Sequence, residues 1–301
     1  MGTLYLVSTP IGNLEDISLR ALRVLKEASL IASEDTRHTR KLLARHAIAT
    51  RQVSYHEHSP PSRLASLLRA LEDGDVALVS DAGTPGLSDP GFDLVRSAWA
   101  HGHTVRPIPG ASAPLAALVA SGLPSDSFLF LGYLPRQRAE RRTWLKEYAD
   151  VPATLVCFEV PHRLRAALVD LEAVLGADRP AAACRELTKL HEEIRRGTLA
   201  ELRRHFVASA PRGEFTLVIS GAPPGGRWEE KAVRAALRDR RRHGDSTSQA
   251  ARRVAGLSGW RRGEVYRMAL EDRDESPKRS AGDSSPKPFG KAQGRRSGGE
   301  P

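Results

Sequence analysis

Short apolar runs alternate with longer stretches in which leucine recurs every three or four positions along most of this chain. Residues 4–8, 30–33, 76–80 and 104–108 are runs of strand length, the third set off by the turn pair Gly74-Asp75. Leu19, Leu22 and Leu25 fall at helical spacing. Asp89 followed by Pro90 has the form of a helix start, a capping side chain and then proline at the first helical position. That helix is expected to run to about residue 101, with Gly102 as its left-handed stop. Pro109-Gly110 leads into a helix at 113–120, closed by Gly122 and Pro124. The pattern resumes with strands at 154–158, 181–184 and 214–220 and helices at 162–175 and 199–206. Strands alternating with helices predict an α/β fold, a parallel sheet with helices on its faces.

The chain has 301 residues, about twice a typical domain, which predicts two domains. The first, residues 1–134, leaves through Gly132-Tyr133-Leu134-Pro135, and the second covers 135–222. The proline- and glycine-rich stretch 222–226 reads as a linker to a small helical segment, 227–271. There Ser246, Thr247, Ser248 and Gln249 have capping-box form, with Ala250, Ala251, Val254 and Leu257 on one side of the helix that follows. Gly259 breaks the pattern, and Val265, Met268 and Ala269 resume it, as in a helix-turn-helix. Serine, proline, glycine and lysine dominate 272–301, which predicts a disordered tail.

Two cysteines, Cys157 and Cys184, are too few for a disulfide framework or a multi-cysteine zinc site. No apolar run is long enough to span a bilayer, and residues 1–7 lack the form of a signal peptide, so a cytoplasmic protein is expected. The net charge of +10 is uneven: residues 227–271 hold 12 basic and 6 acidic side chains. A basic patch on a near-neutral body predicts a polyanionic partner, most often nucleic acid. Arg136, Arg138, Arg141 and Arg142, with Lys146, form a second basic stretch.

Three loops at strand ends carry the candidate chemistry. Residues 80–91 follow the clearest strand directly, and twelve residues is long for a plain connection. Their glycines admit close approach of a ligand, their prolines preset the loop, and Asp81 can accept hydrogen bonds from an amine or hydroxyl. Asp89 is assigned to the helix cap. Residues 8–14 and 109–112 follow other strands and lie at the same sheet edge, where open α/β sheets bind ligands. Neither G-x-x-x-x-G-K-[ST] nor a G-x-G-x-x-G after a strand is present, which argues against P-loop chemistry and standard dinucleotide binding. His56, Glu57 and His58 have no evident third metal ligand; a role near the acceptor fits them better than zinc, and a solvated loop better than either.

Seven ordered motifs complete the picture: residues 8–14 (Ser8 to Leu14), 34–37 (Glu34, Asp35, Thr36, Arg37), 80–85, 109–113, 132–135, 159–163 and 185–189. In this combination the chain resembles the tetrapyrrole methylase superfamily, and within it the methyltransferases of small-subunit ribosomal RNA. Ser8 departs from the proline of many relatives, while Pro10 is kept. The resemblance implies two α/β domains with S-adenosylmethionine in a cleft between them, and usually a homodimer. It implies methylation of the ribose 2′-hydroxyl of a cytidine in the decoding centre of 16S rRNA, in the small ribosomal subunit. By position, Pro10, Ser80, Asp81, Ala82, Gly83, Thr84, Pro85, Ala111 and Ser112 line the cofactor cleft, with Leu134 and Phe158 closing it from the second domain. A ribose hydroxyl needs a proton acceptor and alignment; Glu34, Asp35, Arg37 and Lys189 are the candidates, with His38 and Glu186 beside them. Asp35 has a second reading as the cap of a helix from Thr36, and Lys189 would need a pKa lowered by burial. Arg136, Arg138, Arg141, Arg142, Arg241, Arg252, Arg253, Arg261 and Arg262 are the expected phosphate contacts. A methylase acting on a tetrapyrrole and a non-enzymatic ribosome-assembly factor are the competing functions.

Overall fold

A computed structural model describes residues 1–223 and 228–274. They fall into two compact units, Met1–Pro224 and Gly225–Pro301. Residues 224–226 of the linker expected at 222–226, with residue 227, and residues 275–301 of the tail expected from 272 lie outside the described residues; residues 272–274 continue a helix instead, with Asp272 paired to Arg234 and Arg238.

The larger unit contains two five-stranded sheets. The first is built from β1 (Thr3–Val7), β2 (Leu30–Ser33), β3 (Gln52–Ser54), β4 (Val76–Val79) and β5 (Thr104–Ile108). Its order is β3-β2-β4-β1-β5 and every pairing is parallel. β4 is buried at all four positions, which is why its sequence is a continuous apolar run rather than an alternating one. The connecting helices are α1 (Leu19–Glu27), α2 (Thr36–Arg45), α3 (Pro61–Asp73) and α4 (Phe92–Ala100), with α5 (Ala113–Ser121) following β5. The chain leaves β1 toward β2 on one side and leaves β4 toward β5 on the other. The gap between the carboxyl ends of β1 and β4 is therefore the switch point of the sheet.

The start of α4 corrects the expectation for Asp89. The helix begins at Phe92 with Gly91 as its N-cap, at φ 147. A Cβ on Gly91 would meet Leu78 Cδ2 at 2.9 Å, so the chain packs against β4 there in a conformation that no helix uses. Asp89 is left in the loop ahead of the helix.

The second sheet comprises β6 (Phe128–Tyr133), β7 (Thr154–Glu159), β8 (Pro180–Arg185), β9 (Glu193–Thr198) and β10 (Phe215–Ile219), in the order β6-β7-β10-β8-β9. Helices α6 (Arg138–Lys146), α7 (Pro161–Leu175) and α8 (Leu199–Ala208) connect them. Only β6 and β7 are parallel; the other pairings are antiparallel, so this sheet is mixed where alternation predicted a parallel one. A short loop joins β8 to β9, and strands joined that way pair antiparallel. β9, with the sequence EIRRGT, carries no apolar alternation because it is an edge strand, and its charges discourage further pairing. The second sheet begins at Phe128, ahead of the exit expected at 132–135.

Helix α5 belongs by sequence to the first sheet but packs on the second. Ala117 and Leu118 are buried against Val156, Ala182, Cys184 and Val218. Arg141 is a further correction: it is 3 % exposed and unavailable to phosphate. Its Nε and Nη2 donate to Asp170 Oδ2 at 3.0 and 2.5 Å, and its Nη1 donates to the carbonyls of Pro135 and Arg136. Arg138 and Arg142, both more exposed, approach the same buried carboxylate at 3.3 and 3.6 Å.

Among the described residues the smaller unit has three helices, α9 (Glu230–Arg242), α10 (Thr247–Ser258) and α11 (Arg262–Asp274). Val233, Leu237, Ala250, Val254, Val265 and Met268 form its core. The capping box of Ser246 and Gln249 is present, and Gly259 ends α10 at φ 72. Helix α9 was not legible because only Val233 and Leu237 anchor it among charged neighbours. Among the described residues no helix is long and apolar enough to cross a membrane.

Removing Asp170 leaves the Arg141 guanidinium buried without its counter-charge, which typically costs about 3–5 kcal/mol. Asp170→Ala is expected to lower stability by that order in chemical denaturation, while Arg138→Ala, at the exposed rim, is expected to cost under about 1 kcal/mol.

Candidate functional site

The three loops expected to converge do so by direct hydrogen bonding. Thr9 and Gly83 exchange backbone hydrogen bonds at 2.8 and 3.0 Å across the switch point. Ser8 Oγ lies 3.2 Å from Thr84 Oγ1, and Thr84 Oγ1 donates to the Ala111 carbonyl at 3.4 Å. Gly83 sits at φ 85, a conformation open to glycine at no steric cost. The second sheet supplies the facing wall through Tyr133, Phe158, Glu159 and Leu187, and the Tyr133 and Phe158 rings meet at a tilt of 52° with centroids 5.4 Å apart. A cleft of ≈ 290 Å³ lies between, close to the lower end of the range for small-molecule sites, about 300–1,000 Å³.

The loop after β8 reaches across to the loop after β1. A Cβ on Gly12 would meet Lys189 Cγ at 2.4 Å, and the Asn13 amide donates to Thr188 Oγ1 at 3.1 Å. Glu186 and Thr188 hold positive φ values of 48° and 66°, strain that the surrounding contacts must offset.

Carboxylates dominate the floor. The Asp81 amide donates to Glu34 Oε2 at 3.3 Å, and the Asp35 amide donates to Asp81 Oδ1 at 3.0 Å, so the ends of β2 and β4 brace each other. Burial pushes Glu34 above its ordinary range, against the opposing backbone hydrogen bond from Asp81. Burial pushes Asp89 up to about 6, partly countered by the Ser80 hydroxyl and reinforced by the charges of Glu34 and Asp81. Asp35 behaves oppositely. It caps α2 by accepting the Arg37 amide, and its bond to the Arg37 side chain, 2.7 Å at Oδ2, holds it far below the usual carboxylate range. Burial works against the charge of Lys189, yet bonds to Glu214 and Glu186, both 2.9 Å, outweigh it and raise its pKa. The lowering that a lysine base requires is therefore reversed.

Of the expected cofactor residues, Asp81, Ala82, Gly83, Thr84, Ser112 and Phe158 line the cleft. Pro10 and Ser80 line an adjoining cavity of ≈ 360 Å³, which Asp81 and Ala82 also border. Pro85 and Ala111 are not among the lining residues; Ala111 acts through its carbonyl. The Leu134 side chain is buried in the core of the second sheet, and its carbonyl accepts from Arg163. Glu34 and Lys189 line the cleft, whereas Arg37 is exposed. Sequence reasoning missed Asp89, Tyr133, Glu159 and Glu214 as lining residues. The first was masked by its cap-like Asp-Pro context, the second by its place in the presumed domain exit. Among the described residues no group of three metal-ligating side chains is present.

The family model described as Tetrapyrrole (Corrin/Porphyrin) Methylases matches residues 3–203. The chain belongs to this family of methylases. Within it, the chain is 46% identical over 274 residues to the ribosomal RNA small subunit methyltransferase I of Synechocystis sp., covering 90% of this chain and 98% of that protein. It is 53% identical over 221 residues to the protein of the same name from Halalkalibacterium halodurans, covering 73% and 76%. Among solved structures it resembles the uroporphyrin-III C-methyltransferase of Thermus thermophilus complexed with S-adenyl homocysteine. The TM-score is 0.51 at 23% identity, over 72% of this chain and 97% of that one, a likeness of fold.

The folded protein keeps the Asp89 proton up to about pH 6, whereas the ordinary value is 3.8. Between those values the folded state binds more protons, so unfolding free energy is expected to fall as pH rises through this window. Urea denaturation at intervals across it checks the slope, and Asp89→Asn is expected to flatten it.

Proposed function

We propose that this chain transfers a methyl group from S-adenosylmethionine to the 2′-hydroxyl of a cytidine ribose in the decoding centre of 16S rRNA. In this reading it works in the cytoplasm as a homodimer, as the superfamily resemblance implies. The observation that carries the reading is the acidic, glycine-edged cleft at the switch point of the first sheet, in a methylase whose relatives are named for small-subunit ribosomal RNA.

The residues present fit the cofactor. Its ammonium and sulfonium charges suit the carboxylates of Glu34, Asp81 and Asp89, and its flat base suits the apolar wall of Tyr133, Phe158 and Leu187. Gly83 and Ala82 would let the ligand lie against backbone. When bound, S-adenosylmethionine supplies an electrophilic methyl carbon on a positively charged sulfur. The protein's task is to hold the ribose oxygen in line and to receive its proton. Alignment contributes up to about 7–11 kcal/mol and a positioned base about 10²–10⁴-fold. Burial raises the basicity of Glu34 and Asp89, which line the cofactor cleft, and Asp89, near 6, is ionised at neutral pH. Asp35 is too weak a base, and Lys189 is held protonated.

The smaller unit supports an RNA partner. Arg241, Arg261 and Arg262 carry no ion pair among the described residues, and Arg252, Arg253, Arg261 and Arg262 are exposed. Arg253 pairs with Asp245 at 3.0 Å and stays half exposed.

The test is methyl transfer from labelled cofactor to unmethylated 30S subunits, with naked 16S rRNA and a tetrapyrrole precursor in parallel. Alkali-resistant label at one decoding-centre cytidine is the expected result; label on the tetrapyrrole alone overturns the substrate. S-adenosylmethionine at a hundred times its Kd is expected to add about 2.7 kcal/mol of stability, read as a rise in Tm. Asp81→Ala is expected to abolish most of that rise.

A further inference from the structure

Methyl transfer requires the reacting atoms to stand about 3–3.5 Å apart, so the acceptor's cavity must share a wall with the cofactor cleft. Two cavities share three or more lining residues with it. One, of ≈ 690 Å³, shares Glu34, Ser88 and Asp89 with the cleft and adds Glu57 and Asp93. A phosphodiester chain entering there would face four carboxylates and one histidine, His56. The other, of ≈ 360 Å³, shares Ile11, Asp81, Ala82, Lys189 and Glu214 with the cleft, and α2 borders it through His38, Thr39 and Lys41.

The charge on α2 decides between them. Its ten residues, TRHTRKLLAR, include three arginines, a lysine and a histidine and no acid. Arg37 is engaged by Asp35, but Lys41 and Arg45 are exposed and carry no ion pair among the described residues. Thr39, only 3 % exposed, lines the same cavity, and its hydroxyl has no hydrogen-bond partner in the protein. A buried hydroxyl without a partner is costly, and a ligand's donor or acceptor would remove that cost. Beyond it lies a wider cavity of ≈ 930 Å³, continuous with the first through Gly12, Leu14 and Lys189. Arg45 and His46 line it, and His46 Nε2 is a second buried polar atom without a partner. Its rim carries Leu14 and Leu190, the latter 93 % exposed.

We infer that α2 is the track on which the RNA strand enters the site. The acceptor nucleotide occupies the cavity of Thr39 and Lys41, and the strand continues past Arg45 and His46 with its bases over Leu14 and Leu190. Lys41 and Arg45 meet phosphates, and Thr39 is a positioning residue for the nucleoside. A cavity of this size admits a nucleotide only when it is turned out of its helix, as enzymes acting on single nucleotides require. The inference rests on the proposed ribosomal RNA substrate.

The experiment compares wild type with Lys41→Glu/Arg45→Glu, Thr39→Val and Thr39→Ser. Lys26→Glu, on α1, serves as a matched change of charge at a residue that lines neither cavity. Binding to unmethylated 30S subunits is read by filter retention without cofactor at about 0.15 M salt, methyl transfer by label, and integrity of the cleft by the Tm rise with S-adenosylmethionine. The double variant is expected to bind about tenfold or more weakly, with the slope of log K against log salt reduced by about two and the Tm rise intact. Thr39→Val is expected to lower kcat with KM little changed, and Thr39→Ser to restore it. Wild-type binding by the double variant, or an equal loss in Lys26→Glu, would overturn the track. A wild type that labels only the tetrapyrrole would overturn the RNA reading itself, and the track with it.

Discussion

The site depends on one packing interaction, the burial of α5 against the face of the second sheet. Ala117 and Leu118 are small enough, and Val156, Ala182, Cys184 and Val218 flat enough, for the helix that ends the first fold to close on the second. Because α5 follows β5 through residues 109–112, docking it sets the loop carrying Ala111 and Ser112 against the loop carrying Thr84. The same arrangement places the loop after β8 so close to Gly12 that a methyl group there would overlap Lys189. Two sheets held at both points leave a cleft between them whose walls are each anchored to regular structure, which is how a rigid site is made from loops.

Within this frame the charges are sorted by element. The carboxylates sit at the carboxyl ends of β2 and β4 and just beyond, where Asp35 and Asp81 accept backbone amides while Glu34 and Asp89 are pressed into partial burial. Each environment does something different to the same functional group. A bidentate arginine makes Asp35 a weak base, and desolvation makes Asp89 a stronger one. The cations of Lys189 and Arg141 are held by acidic partners, so they organise structure. Those of α2 and much of the smaller unit face outward.

Much of this was legible in the sequence, and the limits have physical reasons. The strands of the first sheet that are buried on both faces declared themselves as apolar runs, as β4 did. Its edge strand β3, three half-buried residues long, did not. β9 was missed for the same reason, and the mixed pairing of the second sheet followed from a hairpin that local periodicity does not encode. The capping box at Ser246 and the stop at Gly259 were visible because they depend on residues within one turn. Ligand loops were located from glycine and proline content, which records where backbone must come close.

What the sequence determined by itself was therefore local and compositional: the α/β alternation, three glycine- and proline-rich loops at one sheet edge, the basic C-terminal helices, and the family. What only the tertiary structure decided was the fate of individual polar side chains. Asp89 reads as a helix cap until Gly91 is seen to pack on Leu78 and delay the helix. Arg141 reads as a phosphate contact until Asp170, on another helix, is found beneath it. Lys189 reads as a possible base until two carboxylates fix its proton. In each case the deciding partner is distant in sequence or hidden by backbone geometry. The protonation and reach of an ionisable group depend on solvation and on charges within a few ångströms, which the fold alone supplies.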